Sequence, residues 1–120
     1  MGAYVLPIKI LFQHCDPAGI VFYPRYFEMV NLVMETFFET EMGFSYARMH
    51  QEGHVGGPTV SVDATFSAPS RMGEVVDFSM VITRVGRTSL SVAMAGRCAD
   101  EVRRTVNKTI VFIDKTSGKP

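Results

Sequence analysis

The residues best suited to chemistry lie at positions 14–25, where the sequence reads His-Cys-Asp-Pro-Ala-Gly-Ile-Val-Phe-Tyr-Pro-Arg. Pro17 disfavours a helical conformation for Asp16, so we expect Asp16 to be extended, and Gly19 permits a sharp turn after it. Pro24 is typical of the first turn of a helix, where its missing N–H costs nothing. The pattern therefore predicts a carboxylate close to the unpaired N–H groups of a helix start, an arrangement suited to attack on a carbonyl group.

The same residues also suit a purely structural role. Asp-Pro followed by Gly is common turn chemistry, and an aspartate ahead of a helix can cap it. Spacing alone favours a turn residue at Asp16, and Tyr23 taken alone is more typical of a packing aromatic. At this level a turn and a catalytic site both remain open.

His14, Cys15 and Asp16 together contain the residue types of a cysteine-nucleophile triad. Adjacent side chains on an extended segment point to opposite sides, so these three are not expected to converge. Cys15 and Cys98 are the only cysteines, and we interpret both as free thiols. We expect His14 to be a loop or core histidine.

A metal site is the other possibility raised by polar residues. His50 and His54 have the i,i+4 spacing of metal ligands, but Gly53 lies between them and no third ligand is evident. Glu52 is also one position too late for the zinc-protease pattern. We therefore predict no metal and no cofactor, and we place both histidines in a loop that frames a substrate pocket.

The composition is that of one globular domain, residues 1–120. The chain is 47% hydrophobic and 20% charged, with a formal net charge of zero, and a chain of this length can bury a self-supporting core. No segment approaches the length of an apolar membrane span, and no basic-then-apolar leader is evident. We expect a cytoplasmic protein that binds neither membrane nor nucleic acid. The turn-like residues 116–118 leave open whether the polypeptide continues beyond Pro120.

Basic residues concentrate in the second half of the chain. Residues 1–60 hold three Lys or Arg against six Asp or Glu, whereas residues 61–120 hold nine against six. Those near predicted strand ends could meet an anionic ligand such as a nucleotide phosphate, although a solvated sheet face is the commoner explanation. They are Arg84, Arg87, Arg97, Arg103, Arg104 and Lys108.

Hydrophobic periodicity predicts one long helix over residues 26–42, with Pro24 in its first turn and Gly43 at its end. Its polar residues form one narrow stripe, so most of its circumference should be buried. That stripe consists of Glu28, Asn31, Glu35 and Glu39. The apolar stripe is Phe27, Val30, Met34, Phe37 and Phe38, widened by Tyr26, Met29 and Val33.

Alternating apolar residues predict five strands, with a glycine-rich loop at residues 53–58. The predicted strands cover residues 8–12, 60–66, 76–82, 90–94 and 104–113, with residues 100–101 in a turn. One strand, a long helix and four closely spaced strands favour an α+β fold, an antiparallel sheet packed on a single helix. Open sheet edges make self-association an expected property.

Residues 16–24, Asp-Pro-Ala-Gly-Ile-Val-Phe-Tyr-Pro, resemble the active-site segment of the 4-hydroxybenzoyl-CoA thioesterases, a family of the hot-dog fold superfamily. The similarity continues through the helix into residues 57–61 and 66–74. The first motif is specific, and the later ones are shared by many hot-dog thioesterases. The resemblance implies a five-stranded antiparallel sheet wrapped around one long central helix, and homodimers that assemble to homotetramers with acyl-CoA sites at subunit interfaces.

The resemblance also implies roles for particular residues. Asp16 falls on the catalytic aspartate, as nucleophile or as general base, and Tyr23 falls on the residue whose backbone N–H binds the thioester carbonyl. Arg84 and Arg87 are candidate contacts for the CoA phosphates. The tyrosine at position 23 favours an aromatic acyl-CoA substrate. Two alternatives are a thioesterase for aliphatic acyl-CoA or acyl-carrier protein, and a non-catalytic acyl-CoA binding module.

Overall fold

The computed structural model describes residues 3–43, 45, 47–48, 55–114 and 117–120. The described residues contain one long helix and seven strands. The helix, α1, is Pro24–Thr40. The strands are β1 Tyr4–Lys9, β2 Val55–Gly56, β3 Thr59–Phe66, β4 Val75–Val85, β5 Ser89–Cys98, β6 Glu101–Val111 and β7 Ile113–Asp114.

Five of the strands form one antiparallel sheet in the order β1-β4-β5-β6-β3, and β2 pairs with β7. The helix packs on one face of this sheet, which confirms the predicted hot-dog architecture. Its polar stripe is exposed as predicted, and its other faces are mostly buried. The buried residues of α1 are Tyr26, Met29, Val30, Val33, Met34, Phe37 and Phe38.

The first strand lies earlier in the chain than the prediction. The strand was expected over residues 8–12 and to run into His14 and Asp16, but β1 spans Tyr4–Lys9 and Phe12–His14 forms a short 3-10 turn. The turn forms because the Leu11 N–H donates to His14 Nδ1 at 2.9 Å, while the His14 N–H donates to the Leu11 carbonyl at 3.0 Å. A local side-chain acceptor competes successfully with strand pairing here.

The predicted bounds of the last strand were also wrong. Residues 100–101 were expected in the turn, but β5 and β6 remain paired as far as Cys98 and Glu101. A two-residue hairpin then requires a left-handed backbone, and Ala99 adopts it with φ of 53°. At its other end β6 stops at Val111, and Ile113–Asp114 forms β7 instead.

β3 is an edge strand, and its apolar residues are more exposed than their alternation suggested. Val60, Val62 and Phe66 are all classed as exposed, and Ala64 is half-buried. Among the described residues the strand has only β6 as a neighbour in the sheet, so no described strand covers its other long side. No helix in the described part of the chain is both long enough and apolar enough to cross a bilayer.

Candidate active site

The Asp16 turn is closed by a short ladder of backbone hydrogen bonds. The Gly19 N–H donates to the Asp16 carbonyl and the Asp16 N–H donates to the Ile20 carbonyl, each at 2.9 Å. The Phe22 N–H donates to the His14 carbonyl, also at 2.9 Å. Gly19 has φ of 82°, a conformation that side chains other than glycine disfavour. The turn therefore holds Asp16 close to the chain that enters α1.

The Asp16 carboxylate combines a structural role with a free oxygen. Its Oδ1 accepts the Ala18 N–H at 2.9 Å, which is the local turn that an Asp-Pro sequence favours. Oδ2 has no hydrogen-bond partner among the described residues, and the side chain is half-buried. The turn and the catalytic interpretations of Asp16 are therefore compatible, because each uses a different oxygen.

Tyr23 precedes α1 and carries the unpaired N–H of the helix start. The N–H groups of Phe22, Arg25 and Tyr26 all donate to backbone carbonyls, and Pro24 has none. No described residue accepts a hydrogen bond from the Tyr23 N–H. Such a donor lies at the positive end of the helix dipole. It can therefore bind an oxygen on which negative charge develops.

The Tyr23 side chain does not take part in this arrangement. It is 60% exposed, and its ring centroid lies 5.7 Å from that of Phe22 and 6.4 Å from that of Phe66. Within one chain the ring packs against neighbouring aromatics at the surface. The predicted catalytic role of Tyr23 therefore concerns its backbone N–H.

His14 and Cys15 do not form a triad with Asp16. The Nδ1 atom of His14 is occupied by the Leu11 N–H, and burial lowers the pKa of His14, so the ring stays neutral at physiological pH. Cys15 Sγ donates to the Leu11 carbonyl at 3.6 Å. Both side chains bond to Leu11 in the short 3-10 turn, and His14 lies in a loop as expected from the sequence.

A second loop, residues 69–74, packs behind the Asp16 turn. The Val21 N–H donates to the Ser70 carbonyl at 2.9 Å, and Ser70 is fully buried. Arg103 Nη1 donates to the Pro69 carbonyl at 2.9 Å and to Glu74 Oε1 at 3.0 Å, and its Nη2 donates to Glu74 Oε2 at 3.2 Å. The bidentate ion pair between Arg103 and Glu74 therefore holds the loop against β6.

The ion pair between Glu74 and Arg103 makes the stability of the fold depend on pH. The hydrogen bonds from Arg103 and from the Arg71 N–H lower the pKa of Glu74 to about 2. A carboxyl with a lowered folded-state pKa stabilises the fold fully above its unfolded pKa and loses that stabilisation as the pH falls through the folded value. Glu74→Gln should lower the free energy of unfolding by about 1 kcal/mol at pH 7.

Urea unfolding of both proteins between pH 7 and pH 2 measures this contribution. The difference between wild type and Glu74→Gln should be constant above pH 5 and should shrink between pH 4.5 and pH 2. A difference that is independent of pH across that range would show that the Glu74 charge contributes nothing.

Two cations of β6 are buried against α1. Arg104 is fully buried and Lys108 is 7% exposed, whereas a solvated face was the commoner expectation for both. Lys108 Nζ donates to Asn31 Oδ1 at 2.6 Å, and burial lowers the pKa of Lys108. The alternation of Arg104, Val106, Lys108 and Ile110 on one face of the strand was the sequence signal that could have revealed them.

A small groove opens beside Lys108, between α1 and β3. Its volume is about 170 Å³, and its walls are mainly apolar. Phe27 forms part of the wall and also contacts Phe66, which in turn contacts Tyr23. The groove is lined by Phe27, Val30, Asn31, Thr59, Val62 and Lys108.

The described residues contain no cluster of three or more His, Cys, Asp or Glu side chains placed to hold a metal ion. The residues weighed for a metal site, His50, Glu52, Gly53 and His54, lie outside the described residues. Their predicted place in a loop that frames the pocket stays a prediction.

The sequence model of a known family matches residues 18–104, which include Tyr23, α1 and most of the sheet. That family is described as the thioesterase superfamily. The chain belongs to the thioesterase superfamily. Membership makes this protein a thioester hydrolase, as its sequence predicts. None of the curated proteins matches the chain.

Solved thioesterase structures share the fold closely. The gentisyl-coenzyme A thioesterase BH1999 superposes with a TM-score of 0.85 at 24% identity, covering 92% of this chain and 89% of that protein. The 1,4-dihydroxy-2-naphthoyl-CoA thioesterase Slr0204 from Synechocystis gives 0.90 at 18% identity, covering 98% and 87%. The DHNA-CoA thioesterase from Staphylococcus aureus gives 0.91 at 17% identity, covering 100% and 80%. At these identities the similarity establishes the fold.

The remaining predicted site residues of this thioesterase are Arg84 and Arg87. β4 begins at Val75, directly after the loop that supports the Asp16 turn, and Arg84 lies nine residues further along the strand. At about 3.3 Å per residue, Arg84 and the following turn that contains Arg87 lie at the opposite end of the sheet. One chain therefore does not bring them near Asp16. Their contact with CoA phosphates stays a prediction.

Proposed function

We propose that this thioesterase hydrolyses acyl-CoA with an aromatic acyl group resembling 4-hydroxybenzoyl, releasing the free acid and CoA. The observation that carries the proposal is that Asp16 and Tyr23, seven residues apart on one turn at the start of α1, have a carboxylate oxygen and a backbone N–H without a hydrogen-bond partner among the described residues. A thioester needs these two groups, one to deliver oxygen and one to stabilise the tetrahedral oxyanion. The thiolate is a good leaving group, so a second acid is not required.

Two mechanisms use the same geometry. In the first, Asp16 Oδ2 attacks the acyl carbon, the C–S bond breaks, and water then hydrolyses the resulting mixed anhydride. In the second, Asp16 removes a proton from a water molecule that attacks the acyl carbon directly. The Tyr23 N–H donates to the carbonyl oxygen in both, because both pass through an oxyanion.

The groove between α1 and β3 supports an aromatic acyl group. The rings of Phe27 and Phe66 contact each other, and Phe66 also contacts Tyr23, so aromatic side chains connect Tyr23 to the groove. Aromatic side chains interact favourably with a further aromatic ring. Lys108 Nζ has donor capacity beyond its bond to Asn31 Oδ1, and it could donate to a ring hydroxyl oxygen. The names of the gentisyl-CoA and 1,4-dihydroxy-2-naphthoyl-CoA thioesterases also point to hydroxylated aromatic acyl groups.

Lys108→Met tests this assignment of the groove. Methionine keeps the length and apolar stem but removes the donor, so the preference for 4-hydroxybenzoyl-CoA over benzoyl-CoA should fall about 3- to 10-fold in kcat/KM. Free thiol release from the two substrates is measured on the wild type and the variant.

Lys9→Met, which removes a charge from an exposed position of β1, is the matched control. Its preference should equal that of the wild type. An unchanged substrate preference in Lys108→Met would show that the groove beside Lys108 does not recognise the hydroxyl group.

We also propose a homodimer formed through the free edges of β3, with two dimers forming a homotetramer. An edge strand with unpaired backbone groups readily pairs with a second copy, and β3 also exposes the side chain of Val60. Light scattering should give a molar mass of two or four chains. Val60→Asp should lower the assembly state at equal protein concentration, and a monomeric wild type would contradict the proposal.

A further inference from the structure

Arg104, in the middle of β6, is a fully buried cation without a carboxylate partner in the described part of the chain. Its Nη2 donates to Ser70 Oγ at 2.7 Å, and its guanidinium carbon lies 3.5 Å from the centroid of the Tyr26 ring. Nε and Nη1 have no hydrogen-bond partner among the described residues. Burying a charge in this way is costly, so a specific use of the side chain is expected.

The residues that Arg104 touches connect both halves of the site. Ser70 donates its N–H to Tyr26 Oη at 3.3 Å and accepts the Val21 N–H on its carbonyl at 2.9 Å. Tyr26 belongs to the first turn of α1, and Val21 lies in the segment that joins Asp16 to the helix. Ser70 therefore ties the Asp16 turn to the helix start, and Arg104 holds both Ser70 and Tyr26.

Gly96 on the neighbouring strand β5 leaves the space that Arg104 occupies. A Cβ at position 96 would lie 3.1 Å from Arg104 Nη1, 3.2 Å from Arg104 Cγ and 3.3 Å from a methyl group of Val76. The guanidinium is thus confined by β5, by α1 and by the loop that contains Ser70. Its position in the core is narrowly defined.

We propose that Arg104 is a positioning residue of the thioesterase site, which fixes the Asp16 turn relative to the Tyr23 N–H through Ser70 and Tyr26. This rests on the proposed function, because it takes Asp16 and Tyr23 as the groups that act on the thioester. A charge-assisted hydrogen bond and a cation–π contact both constrain geometry. Burial lowers the pKa of Arg104 to about 10, so the side chain is charged at neutral pH.

The test is Arg104→Met. Methionine fills a similar volume and removes the buried charge, a change that is often neutral or stabilising, but it neither donates to Ser70 nor attracts the Tyr26 ring as a cation. The expected result is kcat reduced roughly 10- to 100-fold, because displacements near 1 Å can have effects of that size. KM should change little and Tm should be equal to or above that of the wild type. Wild-type kcat would overturn the proposal.

Two comparisons separate positioning from general stability. Met80→Ala removes a buried side chain of β4 near the C-terminal end of α1, so Tm should fall while kcat is retained. If kcat fell in Met80→Ala as much as in Arg104→Met, the loss would reflect stability, and the positioning role would be wrong. Arg104→Lys restores a cation near Tyr26 and should recover part of the activity.

Hydrogen exchange provides a readout that does not depend on turnover. The Val21 amide should exchange faster in Arg104→Met than in the wild type, relative to β5 amides, and should be unchanged on the same scale in Met80→Ala. If the wild type hydrolyses none of the acyl-CoA substrates, the proposed function is wrong. The exchange rate of the Val21 amide still tests whether Arg104 fixes the position of the Asp16 turn. Should Arg104→Met not fold, Arg104→Gln, which also removes the charge, carries both measurements, and wild-type values there would overturn the proposal.

Discussion

Asp16→Asn should lower the kcat for thiol release from an acyl-CoA by roughly 10²- to 10⁴-fold, the contribution typical of a general base. The amide is neither a nucleophile nor a base at neutral pH, so both proposed mechanisms lose the group that delivers oxygen. Its carbonyl oxygen can still accept the Ala18 N–H that Asp16 Oδ1 accepts at 2.9 Å. The turn should therefore survive, and Tm and acyl-CoA binding should stay near wild type.

The comparison of turnover with binding makes this prediction specific. Thiol release is followed with a chromogenic thiol reagent, and binding is measured by calorimetry with the same acyl-CoA. An Asp16→Asn variant that binds the acyl-CoA but does not hydrolyse it would support a catalytic role for Asp16. Equal kcat in wild type and Asp16→Asn would reduce Asp16 to the turn residue that its hydrogen bond to Ala18 also supports.

Isotope labelling tests the nucleophilic role of Asp16. If Asp16 attacks the acyl carbon and water then opens the anhydride at the Asp16 carboxyl carbon, turnover in ¹⁸O-labelled water places the label in Asp16. A general base activates water without forming a bond to the acyl group, so its carboxylate stays unlabelled. Water attack at the acyl carbon of the anhydride would also leave Asp16 unlabelled, so it is the presence of label that assigns the nucleophilic role. Mass spectrometry of the peptide that contains Asp16 after many turnovers measures the difference.

Tyr23→Pro should lower kcat by roughly 10²- to 10³-fold, the effect of removing one oxyanion-hole donor. Proline deletes the N–H at position 23, and the φ of −54° at Tyr23 lies in the range that proline adopts. The deleted N–H donates to no described residue, so no hydrogen bond of the described fold is lost. The substitution therefore removes a catalytic donor from a backbone that already suits proline.

Tyr23→Ala, which keeps the N–H, is the control for the ring that Tyr23→Pro also removes, and Tyr23→Phe is the control for the hydroxyl group. Tyr23→Phe removes only the hydroxyl of a side chain that is 60% exposed, and kcat should stay within about twofold of wild type. Thiol release and Tm are measured on each variant. A large loss of kcat in Tyr23→Phe, or wild-type kcat in Tyr23→Pro at unchanged Tm, would contradict a backbone role for this residue.

The local features of the site were predictable because they depend on residues close together in sequence. Pro17, Gly19 and Pro24 define the turn and the helix start through their own backbone preferences, and the structure places all three as expected. The position of the first strand was not predictable in the same way. The end of this strand depends on a hydrogen bond from the Leu11 N–H to the ring of His14. The alternation of apolar residues does not predict such a bond.

The support behind the site depends on contacts between distant parts of the chain. Arg104 and Ser70 are 34 positions apart, as are Arg103 and Pro69, and only the fold brings them together. The alternation along β6 places Arg104 on the same face as Val106, but it does not show that the ring of Tyr26 covers the guanidinium. Sequence reasoning could propose the reacting groups, whereas the contacts that hold those residues in place required the structure.

Release of CoA thiol by the purified wild-type protein tests the proposed function most directly. A panel of benzoyl-CoA, 4-hydroxybenzoyl-CoA, an aliphatic acyl-CoA and an acyl-carrier-protein thioester covers the acyl classes in question. Catalytic turnover, with the highest kcat/KM for the hydroxylated aromatic thioester, is the predicted result. Binding of these thioesters without release of thiol would contradict the proposed hydrolysis and would favour an acyl-CoA binding module.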